Sequence, residues 1–187
     1  MVSRVCFLGI VVLLAIQRLV ELRVSRRNEA RILAMGGREH ASGHFVVMKL
    51  IHLLWLIAMP LEVFLLDRPF RWSLFAVALP LLIVGQGLRY AAIRTLGWRW
   101  SVRIMTIPGL PPVTGGIYRY IRHPNYLGVV LELLAVPLLH GAWLTATLFS
   151  IANALLLRIR IREEEEGLTH DNDYPTFFGR GDKEHTP

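Results

Sequence analysis

The chain has almost no cysteine and contains no internal repeat. Cys6 is the one cysteine among 187 residues, so an internal disulfide is excluded, and we predict no metal site because no metal-ligand spacing surrounds it. Apolar residues make up 53% of the chain and the mean hydropathy is +0.44. A composition this apolar is not that of an ordinary soluble domain, and at this length it predicts a single-domain membrane protein.

Acidic residues are scarce compared with basic ones. The chain has 14 Asp and Glu against 21 Lys and Arg, which gives a net charge of +7. In a soluble protein this excess would suit nucleic acid, but in a membrane protein it is typical of loops that face anionic cytoplasmic lipid. We therefore predict no nucleic-acid partner. No small-residue cleavage site follows the first apolar stretch, which is interpreted as a retained helix.

Five apolar runs occupy most of the chain. They cover residues 5–20, 45–66, 72–93, 126–139 and 142–161. The fourth run is short, because a helix needs about 20 residues to cross the hydrocarbon core. The last two runs form either two spanning helices or a shallower helical hairpin, and we favour two spanning helices. The predicted fold is an all-α integral membrane protein with about five transmembrane helices.

Arginine is concentrated in every second connection between these runs. The arginine-rich segments are residues 23–38, 94–122 and 158–162, whereas the connection at 67–71 has two arginines and the turn at His140 has none. Positively charged loops stay on the cytoplasmic side. The pattern therefore predicts an outer N-terminus, five crossings and a cytoplasmic C-terminus.

A polar stretch, GGIYRYIRHPNYLG, lies between the third and fourth apolar runs at residues 115–128. Pro124 disfavours helix at the residue before it and can begin the next helix, which places Tyr118, Arg122 and His123 at the cytoplasmic mouth of the fourth helix. Arginine and histidine can bind a carboxylate, and tyrosine faces can hold a cation. The alternative is an interfacial belt of aromatic and arginine side chains, and the residues alone leave the two interpretations equal.

Four successive glutamates follow the arginines at the end of the last run, at residues 163–166. Mutual repulsion and the negative inner surface both oppose four adjacent carboxylates, so we predict a functional role for at least one of them. Gly85 and Gly87 lie inside the third run. They indicate either close packing between helices or the approach of a flat ligand such as adenine to the backbone.

Several polar side chains lie inside apolar runs, where ionisable groups are costly. Glu132 follows Tyr126 by six residues, so it is either a general base beside a bound acceptor or a partner in a helix–helix hydrogen bond. Glu62 and His140 fall toward the outer end in the predicted topology. We expect structural roles for these two.

The ordered set of these motifs resembles the isoprenylcysteine carboxyl methyltransferase family and the related phospholipid methyltransferases. GIYRYIRHPNYLG contains an Arg-His-Pro-x-Tyr signature, Gly85-Gln-Gly87 matches a Gly-x-Gly element, and one adjacent pair within residues 163–166 matches a Glu-Glu pair. The resemblance covers roughly residues 80–178. It implies a small integral-membrane enzyme that uses S-adenosylmethionine and has no Rossmann sheet.

The resemblance also implies roles for individual residues. Arg122 and His123 would hold the carboxylate end of the cofactor. Catalytic roles would fall to Glu132 as a base and to Arg160 or Arg162 as the group that orients an anionic acceptor. The full cofactor-binding set is Gly85, Gly87, Tyr118, Arg122, His123, Pro124, Tyr126, Leu127, Glu164 and Glu165.

The N-terminal part resembles one bacterial branch of the family. This likeness rests on RLVELRVSRRN at residues 18–28, followed by Gly36-Gly37, Glu39 and His44. Members of that branch often accompany type III polyketide synthases, which implies a polyketide synthase partner and O-methylation of a lipid-like acceptor such as an alkylpyrone or alkylresorcinol. The acceptor would enter from the bilayer of the bacterial inner membrane, with the active site facing the cytoplasm.

Along the chain, the expected organisation is N-terminal transmembrane helices and an arginine-rich loop over residues 1–70, a methyltransferase core over 71–178 and a polar tail over 179–187. The cofactor pocket is expected in the C-terminal half. Other interpretations are a phospholipid N-methyltransferase, a membrane reductase that binds NADPH and a membrane scaffold without catalysis.

Overall fold

The computed structural model describes residues 1–40 and 42–172, and it is mostly helical over those ranges. The predicted tail at 179–187 and the last residues of the predicted core lie outside the described residues. The elements, in chain order, are α1 (Val2–Ala34), β1 (Arg38–His40), α2 (Ser42–Leu65), α3 (Trp72–Leu96), β2 (Ile104–Thr106), α4 (Pro124–Leu138) and α5 (Trp143–Asn172). The predicted helical membrane fold is confirmed, with a small antiparallel sheet of β1 and β2 that the sequence did not indicate.

Four helices, α1, α2, α3 and α5, are long and apolar enough to cross a membrane. The fifth, α4, has 15 residues. At a rise of about 1.5 Å per residue it spans about 22 Å, which is less than the roughly 30 Å of the hydrocarbon core. A full crossing by α4 stays a prediction.

The helices nevertheless alternate in direction, as five crossings require. At one end of the bundle, Arg4 of α1 pairs with Asp67 after α2 at 2.9 Å, and Ser3 lies 3.2 Å from the His140 ring nitrogen after α4. At the other end, the amide of Asn28 donates to the carbonyl of Trp100, which follows α3, at 2.8 Å. The chain end before α1 and the turns after α2 and α4 therefore share one end of the bundle.

Two glycines bring α3 and α4 into close contact. A Cβ atom at Gly85 would lie 3.0 Å from the Gly128 carbonyl oxygen, and one at Gly128 would lie 2.7 Å from the Gly85 carbonyl oxygen. From this contact α3 continues to Leu96, whereas α4 begins only four residues before Gly128, at Pro124. The end of α3 thus projects about 10 Å beyond the start of α4, by helical rise. This offset leaves a space over the first turn of α4.

The loop between α3 and α4 covers that space, and α1 holds the loop in place. Ser25 accepts a hydrogen bond from the Val102 amide at 2.9 Å, in addition to the Asn28 contact. β2 then pairs with β1, and the Thr106 hydroxyl bonds the carboxylate of Asp171 near the end of α5. Contacts with α1, β1 and α5 therefore hold the loop that covers the space.

The opposite end of the bundle is held by a buried carboxylate. Glu62 accepts hydrogen bonds from the Leu144 amide at 3.1 Å and the Thr145 amide at 2.7 Å, and it pairs with Arg68 at 3.0 Å. The amides at a helix N-terminus lack intrahelical partners, so Glu62 satisfies the first turn of α5 and complements its dipole. This contact supports the structural role expected for Glu62.

Candidate functional site

A cavity of about 600 Å³ occupies the space over α4 and continues between α1 and α2 toward the middle of the bundle. Its volume lies within the range of ligand sites, about 300–1,000 Å³. Its loop end is lined by polar side chains of α4 and α5 and by the covering loop. Its deep end is lined by α1, α2 and the second half of α3.

His123 is the centre of the polar loop end. Its Nε2 atom lies 3.0 Å from Glu165 Oε1, and its Nδ1 atom lies 3.8 Å from Glu164 Oε2. The ring stacks on Tyr126 with 5.6 Å between ring centroids. Arg160 covers the Tyr126 ring at 5.9 Å and donates to the Val102 carbonyl at 2.8 Å. The Arg-His-Pro-x-Tyr motif and the glutamate run, which are separated by some 40 residues of sequence, therefore meet at one place.

The helical repeat decides which residues of α5 face the cavity. One face lines it, and that face consists of Asn153, Leu157, Arg160, Glu164, Leu168 and Asn172. These residues are three or four positions apart, as one face of a helix requires. Arg162 is two positions, or about 200°, from Arg160. It is exposed and pairs with Glu166 at 2.7 Å, so the structure does not bring this predicted catalytic residue to the cavity.

Several buried polar atoms on the cavity wall have no hydrogen-bond partner within residues 1–40 and 42–172. They are Arg18 Nε, Arg89 Nε, Trp100 Nε1, Arg103 Nε, Asn125 Oδ1, both amide atoms of Asn153, Arg160 Nε, Glu164 Oε2 and Asn172 Oδ1. An unpaired buried polar group is costly, by about 1–3 kcal/mol each. Buried groups of this kind need an explanation, and a polar ligand in the cavity would supply one.

Tyr118 and Arg122 also line the loop end, as the sequence predicted. Arg122 follows a tight turn, the 3-10 helix Gly116–Arg119, and Tyr118 lies within that turn, which begins at Gly116. This glycine has φ of +57°, and a Cβ atom there would lie 2.7 Å from the Thr95 hydroxyl at the end of α3. The turn therefore depends on glycine both for its backbone conformation and for its approach to α3.

The deep end of the cavity contains a network of buried charges. Glu132 is fully buried and pairs with Arg18, and its second oxygen lies 3.4 Å from Arg89 Nε. Arg89 also pairs with Glu21 at 2.6 Å. Arg18, Glu21 and Arg89 line the cavity, but Glu132 does not. This pattern favours an ion-pairing role for Glu132 over the general-base role that the sequence left open.

The remaining predicted cofactor residues do not line the cavity. Gly85 faces α4, and Gly87 has no atom within 4 Å of a Cβ position, so neither gives the cavity a backbone surface. Pro124 is buried as the first residue of α4, Leu127 is 40% exposed, and Glu165 touches the site only through His123. For Gly85, the packing alternative has direct support from the Gly128 contact.

The sequence prediction placed the pocket in the C-terminal half and missed the contribution of α1 and α2. Arg18, Glu21 and His52 line the deep end. A signal was present, because Arg18 and Glu21 are a charged pair at the end of an apolar run and buried ions in a membrane indicate function. What the sequence did not show is that these residues meet Arg89 of α3.

Comparisons with known proteins place the chain in a family. The profile of the isoprenylcysteine carboxyl methyltransferase (ICMT) family matches residues 77–170. A Bacillus subtilis protein, the uncharacterised protein YpbQ, is 38% identical over 160 residues, which cover 85% of this chain and 94% of that protein. An uncharacterised Haemophilus influenzae protein is 28% identical over 154 residues, covering 82% and 89%.

The Schizosaccharomyces pombe protein-S-isoprenylcysteine O-methyltransferase is 34% identical over 104 residues, which are 54% of this chain and 42% of that protein. Fold and site together define an integral membrane protein with a ligand cavity that extends from its loops into the bundle. The chain belongs to the ICMT family. Membership implies a membrane methyltransferase.

Proposed function

We propose that the protein transfers a methyl group from S-adenosylmethionine to an oxygen of a lipid-like acceptor. The observation that carries this proposal is the meeting of His123, Tyr126, Arg160 and Glu164 at one end of a cavity that also reaches the apolar side chains of α1 and α2. A methyl donor with charged groups and an acceptor with a hydrocarbon tail need these two environments side by side.

The residues at the loop end fit S-adenosylmethionine chemically. Arg122 and His123 would hold its carboxylate by charge-assisted hydrogen bonds. Glu164, whose carboxylate lines the cavity beside His123, would accept from its ammonium or ribose groups. Tyr126 lines this end of the cavity beside them. When bound, the cofactor supplies an electrophilic methyl group.

The wall between α1 and α2 supports entry of the acceptor from the bilayer. Leu19 of α1 and Leu53 of α2 both line the cavity, and their exposed fractions are 63% and 54%. Side chains that belong to both the cavity and the outer surface mark a lateral opening. An acceptor whose hydrocarbon tail lay in this opening would direct its polar head group toward the deep end of the cavity and the first turn of α4.

The protein's contribution to the reaction would be alignment and exclusion of water. Holding donor and acceptor in line can supply about 7–11 kcal/mol of the barrier. Arg160 is 3% exposed and reaches the cavity beside Tyr126, so it suits the orientation of an anionic or polarised acceptor oxygen. An active site facing the cytoplasm of the bacterial inner membrane and a polyketide synthase partner are parts of this proposal that rest on the sequence alone.

The first test is calorimetric binding of S-adenosylmethionine to the detergent-purified protein and to His123→Ala. Loss of a hydrogen bond to a charged group costs about 1.5–3 kcal/mol, so the variant should bind roughly 10- to 150-fold more weakly. His170→Ala is the matched control, because His170 is exposed and does not line the cavity. No binding to folded wild type, or equal binding by His123→Ala, would remove the proposal. Methylated nitrogen in the product would favour a phospholipid N-methyltransferase.

A further inference from the structure

His52 of α2 is the imidazole at the deep end of the cavity. Its Nδ1 atom lies 2.9 Å from the backbone carbonyl oxygen of Met48, one turn earlier in the same helix. A carbonyl oxygen can only accept, so Nδ1 must carry the hydrogen in this contact. The other ring nitrogen, Nε2, is then the one with a free lone pair in the neutral ring.

The Nε2 atom is available to a ligand. Across residues 1–40 and 42–172, the contact with Met48 is the one hydrogen bond that the His52 side chain makes. Nε2 is not one of the fully buried side-chain atoms in these residues that lack a hydrogen-bond partner, so part of its surface is open to the cavity. A ring that lines a cavity and holds its second nitrogen as an unpaired acceptor can receive a hydrogen bond from a ligand.

The position of His52 along the bundle places it near the methyl-donor end. Trp55, one turn later in α2, donates to the Leu133 carbonyl of α4 at 3.2 Å. Since α2 and α4 run in the same direction, His52 is level with the turn of α4 that contains Val129, which also lines the cavity. Tyr126 lies one turn before Val129. Along the bundle axis, His52 therefore lies about 5 Å deeper than Tyr126, which leaves room for the head group of one acceptor between them.

The charged neighbours of His52 are engaged with one another. Glu132 pairs with Arg18 and Arg89, and Glu21 pairs with the same two arginines. Glu132 faces no part of the cavity. Glu132, the base that the sequence suggested, thus forms ion pairs, whereas the His52 imidazole forms none within the described residues.

We propose that His52 is the general base of the reaction, taking the proton from a hydroxyl acceptor as that oxygen is methylated. This rests on the proposed function, in the case where the acceptor is a weakly acidic hydroxyl. The acceptor O–H bond breaks and its proton moves to His52 Nε2, while the oxygen forms the new bond to the methyl carbon. The electron pair of the broken C–S bond stays on the donor sulfur, which becomes a neutral thioether. His52 then releases the proton to water at the loop end.

The experiment compares two acceptors in wild type and His52→Ala. A long-chain 4-alkylphenol has an acidity near that of tyrosine, about 10 on the pKa scale, and stays protonated at about pH 8. A nitro group beside the hydroxyl makes the matched nitrophenol largely ionised at that pH. General-base catalysis contributes about 10²–10⁴-fold. His52→Ala should therefore lower kcat by at least about 100-fold for the alkylphenol and by less than about 3-fold for the nitrophenol.

Controls separate this proposal from the proposed function. His44→Ala replaces a histidine of the same helix that does not line the cavity, and it should leave both rates unchanged. His52→Ala should bind S-adenosylmethionine as wild type does. An equal loss with both phenols, or no loss with either, overturns the base role.

If wild type binds S-adenosylmethionine but methylates neither phenol, the base role is overturned and the methyltransferase proposal stands, with a fatty acid and an alkylamine as the next acceptors. If wild type does not bind S-adenosylmethionine, both proposals fail.

Discussion

Four neighbouring glutamates of α5 have different surroundings, although the sequence presents them as equals. The Glu164 side chain is 32% exposed, lines the cavity and approaches His123. Glu166 is 59% exposed and pairs with Arg162 on the outer face. The rotation of about 100° per residue separates a site carboxylate from a solvated one two positions away.

This difference predicts unequal effects of the same substitution. Glu164→Gln removes the charge but keeps the size of the side chain, and it should weaken S-adenosylmethionine binding roughly 10-fold or more, because charge-assisted hydrogen bonds are worth about 1.5–3 kcal/mol. Glu166→Gln is the matched control and should change the dissociation constant by less than about 2-fold, since exposed ion pairs contribute little. Calorimetric titration measures both. Equal dissociation constants for the two variants would place the carboxylate site elsewhere on α5.

Residue types and spacing pointed to the loop end of the cavity but not to its deep end. Tyr118, His123 and Tyr126 line the loop end, although the residues alone left a site and an interfacial belt equal and the family resemblance decided between them. The sequence could not place Arg18 against Glu132, since that contact joins residues 114 positions apart. Local patterns carry no information about such a distant pairing.

Among the elements, the contact between α3 and α4 sets the geometry of the site. Gly85 and Gly128 allow the two backbones to touch, which fixes the depth at which α4 begins. The sequence indicated close packing as one of two explanations for Gly85. The small sheet of β1 and β2 was not indicated, because three-residue strands are too short to show a periodic pattern.

Gly128→Ala should destabilise the protein. Its Cβ atom would lie 2.5 Å from Arg89 Cγ and 2.7 Å from the Gly85 carbonyl oxygen, so the helices must move apart. Overpacking of this kind costs about 1–3 kcal/mol, and each kcal/mol lowers the melting temperature by about 2–4 °C at this chain length. Thermal unfolding in detergent, followed by circular dichroism, measures the shift.

Gly87→Ala is the control for that experiment. It lies in the same helix, and no atom lies within 4 Å of its Cβ position, so alanine should be tolerated or should raise the melting temperature. A loss of stability as large as that of Gly128→Ala would contradict the packing argument. A selective loss of S-adenosylmethionine binding by Gly87→Ala would instead support the cofactor role predicted for this glycine.

For the whole molecule, the alternating direction of the helices agrees with the arginine pattern. The ends of α1 and α3 and the start of α4 lie together, and their connections are the arginine-rich ones. Apolar run lengths and charge thus sufficed to predict that the helices alternate in direction. The orientation across the membrane follows from charge alone and stays a prediction.

Cysteine labelling tests that orientation. Cys6 is the one native cysteine, so a Cys6→Ser background allows single cysteines to be placed at exposed positions. With a membrane-impermeant maleimide, Arg71→Cys should be labelled in intact spheroplasts, whereas Arg27→Cys should be labelled only after the membrane is permeabilised. Protection of Arg71→Cys together with labelling of Arg27→Cys in intact spheroplasts would invert the topology.

One continuous helix passes both ends of the cavity. The lining face of α5 runs from Asn153 at membrane depth to Asn172 under the loop, about 28 Å by helical rise. A stiff rod that touches two ligands links them mechanically. In the proposed reaction, a donor held at Glu164 and an acceptor lying near Asn153 would therefore contact the same helix.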